Sequence, residues 1–228
     1  MPNYAITAPP IVALPIKGTD ALFPVRRVYC IGRNYAAHTI EMGGNPDREA
    51  PFFFQKNPNN LDPSGTFPYP AHSTDVHHEL EIAVMLKAGG TNIPVAEAEA
   101  CVFGYALSLD MTRRDLQGEQ KKAGRPWEIG KAFERSAPVG PIHTVAQTGL
   151  LNEAALSLSV NGTVTQQGNM DQMIWKVPEM ISYLSEYFEL AEGDVILSGT
   201  PSGVGPVSRG DQMELSADGL GSFAVKVI

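Results

Sequence analysis

The chemistry available to this sequence concentrates in a few short segments. The most pointed is His77-His78-Glu79-Leu80-Glu81-Ile82-Ala83-Val84-Met85-Leu86. Read as a strand, its two-residue repeat sets His77, Glu79 and Glu81 on one face and Leu80, Ile82, Val84 and Leu86 on the other. Two carboxylates that close repel each other, and their pKa values rise unless a cation neutralises them. A third carboxylate, Asp110, closes the strand-like run Tyr105 to Leu109 where the chain turns into a helix. Three oxygen donors with no Cys or clustered His nearby suit a hard ion. Mg2+ or Mn2+ in an octahedral site, with water or substrate on the open positions, is the natural choice. The competing arrangement is an edge strand that merely turns Glu79 and Glu81 to solvent.

His38 and Glu41 stand three residues apart, which places both side chains on one face of a short helix. A carboxylate beside an imidazole fixes its tautomer and stabilises the imidazolium formed when the ring takes a proton from water. Surface helices carry such pairs too, as simple ion pairs. Arg33 beside Asn34, Lys56, Arg114 with Gln117 three residues on, and Lys131 in Gly130-Lys131-Ala132-Phe133 add cations and amides. Together they can bind a substrate bearing carboxylates, Arg with a forked donor and Lys with a point charge for a developing oxyanion. The run Gly199-Thr200-Pro201-Ser202-Gly203-Val204-Gly205-Pro206 has neither the Gly-Lys-Ser/Thr ending of a phosphate loop nor the spacing of a dinucleotide turn, which argues against nucleotide binding. Its amides and the Thr200 hydroxyl can hold a carboxylate; a plain tight turn is the alternative.

Elements must position these residues. Val25 to Ile31, Phe52 to Phe54, Glu79 to Leu86 and Tyr105 to Leu109 read as strands. Asn34 to Met42 reads as a helix capped by Asn34 and stopped by Gly43 and Gly44, and Thr112 to Lys122 as another capped by Thr112. The polar loop between Gly43 and Ala50 is a candidate lid, with a plain solvent loop as the alternative that base rates favour. Ala155 to Val160, Asn161-Gly162 and Thr163 to Gln166 form a hairpin signal. A helix is expected from Val177 or Pro178 to Phe188, with Met180, Ile181, Leu184 and Phe188 on its inner face. Asp194 to Ser198 reads as a buried strand, and Gln212 to Ile228 as two more. The first residues, rich in proline, suit an extended arm or a pair of edge strands over 1–24, with one catalytic domain over 25–228.

The 228 residues, 22 of them Gly and 18 Pro, suit one strand-rich α+β core with many turns. A formal net charge of -8 argues against a nucleic-acid partner, since phosphate neutralisation needs surplus Lys and Arg. Two isolated cysteines, Cys30 and Cys101, make no disulfide framework and are expected to be reduced core residues. No signal peptide and no long apolar run is visible, so a cytoplasmic protein with no membrane partner is expected.

In this order, the motifs resemble those of the fumarylacetoacetate hydrolase superfamily, in particular its small acylpyruvate and fumarylpyruvate hydrolases. The resemblance rests on Tyr29 to His38, Glu41-Met42-Gly43, Phe52-Phe53-Phe54, His78-Glu79-Leu80-Glu81, Gly104-Tyr105-Ala106, Asp110-Met111-Thr112, Arg114-Asp115, Gly130 to Phe133 and Gly199 to Gly205. It implies a mixed β-sheet roll with short helices, assembled as a homodimer, and Mg2+ or Mn2+ held by Glu79, Glu81 and Asp110. It further implies His38 and Glu41 as the water-activating pair and Lys131 as the cation near the reacting oxygen. Lys56, Arg114, Gln117 and Thr200 are implied to contact substrate or order the site, and Arg33 is expected to join them in binding substrate on the strength of its charge. One departure is that Asn57 separates Lys56 from Pro58 where relatives commonly run Lys-Pro directly. The implied reaction is hydrolysis of the carbon-carbon bond of a 1,3-diketo acid. Fumarylpyruvate, giving fumarate and pyruvate in gentisate-type degradation, is the expected substrate from Glu41-Met42-Gly43 with Pro46, Arg48 and Pro51. Oxaloacetate decarboxylation is the competing reading, followed by isomerisation or hydration of a 2-oxo acid.

Overall fold

Every residue of the strand Leu80–Leu86 is buried. A strand covered on both faces has no solvent side, so the edge-strand alternative for Glu79 and Glu81 does not hold. In the computed structural model, which describes residues 3–43 and 50–228, this strand lies third in a six-stranded sheet. The order is His143–Thr144, Val102–Leu109, Leu80–Leu86, Asp194–Leu197, Arg27–Gly32 and Phe52–Lys56. All pairings are antiparallel except that between Asp194–Leu197 and Arg27–Gly32.

The predicted alternation holds, with hydrocarbon on both sides. Leu80, Ile82, Val84 and Leu86 enter one core, where Leu156, Leu158, Met213, Leu215 and Val225 from a second, five-stranded sheet meet them. Met180, Ile181 and Leu184 of the helix Val177–Tyr187 complete that core. Ala83 and Met85 enter another, beneath Val195, Leu197, Val28 and Cys30. This second core is covered by a hairpin of Ala13–Pro15 with Leu22–Pro24, which buries Leu14 and Phe23.

The hairpin predicted at Asn161-Gly162 is present, with φ of 51° and 81° at the two turn residues, as a two-residue turn that matches strand twist requires. Both cysteines are free and buried. No helix among the described residues is long and apolar enough to cross a membrane. The residues of the candidate lid, 44–49, lie outside the described ones.

Two predicted caps are wrong. The first helix is Ala36–Glu41, and Asn34 does not cap it. Its buried amide instead donates to Trp175 O and Ser198 O and accepts from Trp175 N, tying three distant segments together. Thr112 lies in a short strand paired with His77, and the helix begins at Arg114. A Ser, Thr or Asn before a helical pattern signals a cap only if no tertiary partner claims its side chain.

The hairpin contributes a fully enclosed leucine, so Leu14→Ala should cost about 2–5 kcal/mol. Urea denaturation measures this; an unchanged midpoint would mean that the hairpin is peripheral to stability.

Candidate active site

The register of two adjacent strands builds the carboxylate group. Leu80 pairs with Leu109, so the residues just beyond each, Glu79 and Asp110, emerge side by side, and Asp110 N donates to Glu79 O. Glu79 occupies a one-residue break between the strands Val76–His78 and Leu80–Leu86. Glu81 follows on the same face. Oxygens of all three, each buried, lie within 4.8 Å of one another.

Three cations face them. Lys131 Nζ donates to Glu79 Oε2 at 2.9 Å, Asp110 Oδ2 at 2.7 Å and Thr112 Oγ1 at 2.7 Å. Arg114 donates through Nη2 to Glu79 Oε1 and through Nη1 to Gln117 Oε1. Lys56 Nζ stands 2.9 Å from Asp110 Oδ1. Its protons go elsewhere, to Ser136 Oγ, Lys131 O and Met111 O, which leaves Asp110 Oδ1 buried without a hydrogen-bond donor.

The three acids consequently differ. Burial opposes ionisation of Glu79, but Lys131 and Arg114 overcome it and hold the carboxyl well below the usual range. Among the described residues Glu81 has Gly199 N as its hydrogen-bond donor and no ion pair; burial, then Asp110 and Glu79, pushes it well above that range. Burial also opposes the Lys131 ammonium, yet Asp110 and Glu79 raise it above its ordinary value. An undonated Asp110 oxygen and an unpaired Glu81 in an all-oxygen cluster fit a hard divalent cation, which satisfies both defects at once.

His38 Nδ1 lies 3.1 Å from Glu41 Oε2, as the i, i+3 spacing predicts. A carboxylate only accepts, so the proton sits on Nδ1 and the Nε2 lone pair is available. Glu41 is itself held, since both its oxygens accept from Gly203 N. Gly203 adopts φ +94°, and a Cβ there would fall 2.0 Å from Thr165 O, so both backbone and space demand glycine. The glycine-rich run thus does hold carboxylates, but the protein's own: Glu81 through Gly199 and Glu41 through Gly203.

An open cleft is walled by Arg33, His38, Glu79, Glu81, Asp110, Arg114, Gln117, Lys131 and Thr200. Ten of the eleven sequence-predicted residues therefore meet: these nine on the wall, and Glu41 behind His38. Lys56 is the exception; fully enclosed behind Asp110, it acts on the cleft through that carboxylate. Arg33 holds a left-handed φ of 57°. Sequence reasoning missed Lys121 and Trp127, which also line the cleft. Trp127 packs edge-on against Phe52 at 5.0 Å, a contact with no signature in local spacing.

A carboxylate triad of this kind, with an imidazole pair across a cleft, defines an enzyme site. The chain belongs to the fumarylacetoacetate hydrolase family, whose C-terminal domain matches residues 27–228. Among solved structures it is similar to fumarylpyruvate hydrolase from Pseudomonas aeruginosa in complex with Mn2+ and pyruvate, with 49% identity, TM-score 0.97 and 99% of each chain covered. Among curated proteins it is 42% identical over 203 residues to the mitochondrial oxaloacetate tautomerase FAHD1 of Mus musculus, covering 89% of this chain and 91% of that protein. It is 41% identical over 198 residues to oxaloacetate tautomerase YcgM of Escherichia coli, covering 86% and 90%.

Ligation requires an ionised Glu81, so Mn2+ binding should expel its proton, and affinity should climb as pH rises from the ordinary carboxylate range upward. Calorimetry in buffers of different ionisation enthalpy reads that release. Glu81→Gln should abolish it and weaken Mn2+ binding about tenfold or more; a wild-type protein that releases no proton refutes the assignment of Glu81.

Proposed function

We propose that this enzyme hydrolyses the carbon-carbon bond of an acylpyruvate, with fumarylpyruvate as the preferred substrate. The observation that carries the proposal is the His38–Glu41 hydrogen bond across the cleft from Glu79, Glu81 and Asp110. A water-activating pair is required for hydrolysis, and proton transfer by a positioned imidazole contributes about 10²–10⁴-fold. Likeness to the fumarylpyruvate hydrolase supports the choice of substrate.

In this reading Glu79, Glu81 and Asp110 hold Mg2+ or Mn2+, which supplies Lewis-acid polarisation of the 2-oxo acid end of the substrate. The chain's own residues do the rest. His38 Nε2 takes a proton from water while Glu41 stabilises the imidazolium. The hydroxide oxygen bonds to the acyl carbon, the carbon-carbon bond breaks, and its electron pair leaves on the methylene carbon of pyruvate, which the His38 proton then reaches. Fumarate and pyruvate result. Arg114, steadied by Gln117, and Arg33 bring positive charge to substrate carboxylates. Lys131, whose three protons go to Glu79, Asp110 and Thr112, fixes the ligand set and meets an oxyanion only by exchanging one of these partners.

Oxaloacetate tautomerisation is a second reading, favoured by the two relatives of that name. It moves a proton between carbon and oxygen and consumes no water. Purified, Mn2+-reconstituted protein separates the two: loss of the fumarylpyruvate diketone absorbance against enol-keto exchange with oxaloacetate, while pyruvate release from oxaloacetate would mark decarboxylation instead. His38→Ala should lower fumarylpyruvate hydrolysis by about 10²-fold or more and leave Mn2+ binding intact. Turnover of oxaloacetate alone by the wild type would overturn the hydrolase proposal.

A further inference from the structure

Gln166 is fully enclosed at the junction of the two sheets, and no step above uses it. Its amide is oriented by main-chain partners. Leu80 N can only donate, so the atom it meets at 2.9 Å is Oε1; Pro201 O can only accept, so the atom 2.8 Å from it is Nε2. The other two bonds then have a fixed sense. His78 Nδ1, 2.9 Å from Oε1, carries a proton. Thr200 Oγ1, 2.8 Å from Nε2, accepts one.

A hydroxyl has a single proton to give. Gln166 supplies the hydrogen of the Gln166–Thr200 bond, so the Thr200 proton is left over. Among the described residues it meets no acceptor within that bonding set, and Thr200 forms part of the cleft wall beside Glu81 and Asp110. We propose that Gln166 is a positioning residue that commits Thr200 to donate into the cleft, where it binds an acceptor oxygen of the ligand, a carboxylate oxygen of the 2-oxo acid. The proposal rests on reading the cleft as a 2-oxo acid site. It also accounts for an amide at 166. A carboxylate would accept from Thr200 and turn the proton away, while an apolar side chain would let the hydroxyl rotate and forfeit its pre-orientation.

Pyruvate titrated into the Mn2+-loaded protein by calorimetry provides the test. Thr200→Val should weaken pyruvate about tenfold, the size of one hydrogen bond to a charged group, whereas Thr200→Ser should bind like wild type. Gln166→Met should cost about tenfold in the wild-type background and almost nothing further in Thr200→Val, because residues acting through one hydroxyl are not additive. Gln166→Glu should weaken pyruvate as much as Thr200→Val does. Equal losses from Gln166→Met in both backgrounds would mark a general packing role and overturn the proposal. So would undiminished binding by Thr200→Val, or a wild-type protein that takes up no pyruvate. If thermal melting shows that Gln166→Met does not fold, Gln166→Glu and the two Thr200 variants decide. A wild type that binds pyruvate in this pattern but leaves fumarylpyruvate intact refutes the hydrolase reading alone.

Discussion

Three carboxylates within 4.8 Å of one another, all out of water, are the constraint on which this structure depends. Left alone they would repel strongly enough to stay protonated or to open the fold. The chain answers with Lys56, Arg114 and Lys131, one from the strand Phe52–Lys56 and the others from two short helices, so the charge cluster also pins those helices to the sheet. Compensation is uneven: Glu79 and Asp110 receive the cations, and Glu81 receives a backbone amide. This unevenness separates the protonation behaviour of two acids only two residues apart.

Backbone amides carry a second layer of organisation. Gly199 and Gly203 reach Glu81 and Glu41 respectively, so one loop fixes an acid from the sheet and the acid that orients His38. The distance between the carboxylate cluster and the imidazole is thereby a property of main-chain geometry. Gly130 works in the same spirit: a Cβ there would come within 2.9 Å of Gln117 N, so glycine alone allows Lys131 and Gln117 to share the cleft wall.

Much of this was legible in the sequence, because period-two alternation and i, i+3 spacing are local. Glu79 with Glu81, His38 with Glu41 and Arg114 with Gln117 follow from such spacing, and the hairpin at Asn161-Gly162 follows from turn chemistry. What escaped was set by partners far along the chain. Asn34 and Thr112 look like caps until Trp175, Ser198 and Lys131 claim their polar atoms. Whether Glu79 and Glu81 face solvent depends on the placement of Leu80–Leu86 at third position in the sheet, which no local pattern encodes. Lys56 reads as a ligand-binding cation and lies instead behind Asp110, because its orientation depends on the main-chain oxygens of Met111 and Lys131.

The parallel pairing of Asp194–Leu197 with Arg27–Gly32 has a consequence for the birth of the enzyme. The strand that separates Leu80–Leu86 from Arg27–Gly32 is the last of the six in this sheet to be synthesised, and Thr200 and the amides of Gly199 and Gly203 follow it directly. Until that stretch leaves the ribosome, the sheet has a gap at its centre and Glu81 has no hydrogen-bond donor. Such long-range closure is slow and leaves apolar edges bare in the interim. A nascent chain stalled or truncated short of residue 194 therefore carries all of the acidic and basic side chains of the site but lacks the strand that closes the sheet and the amides that hold Glu81 and Glu41.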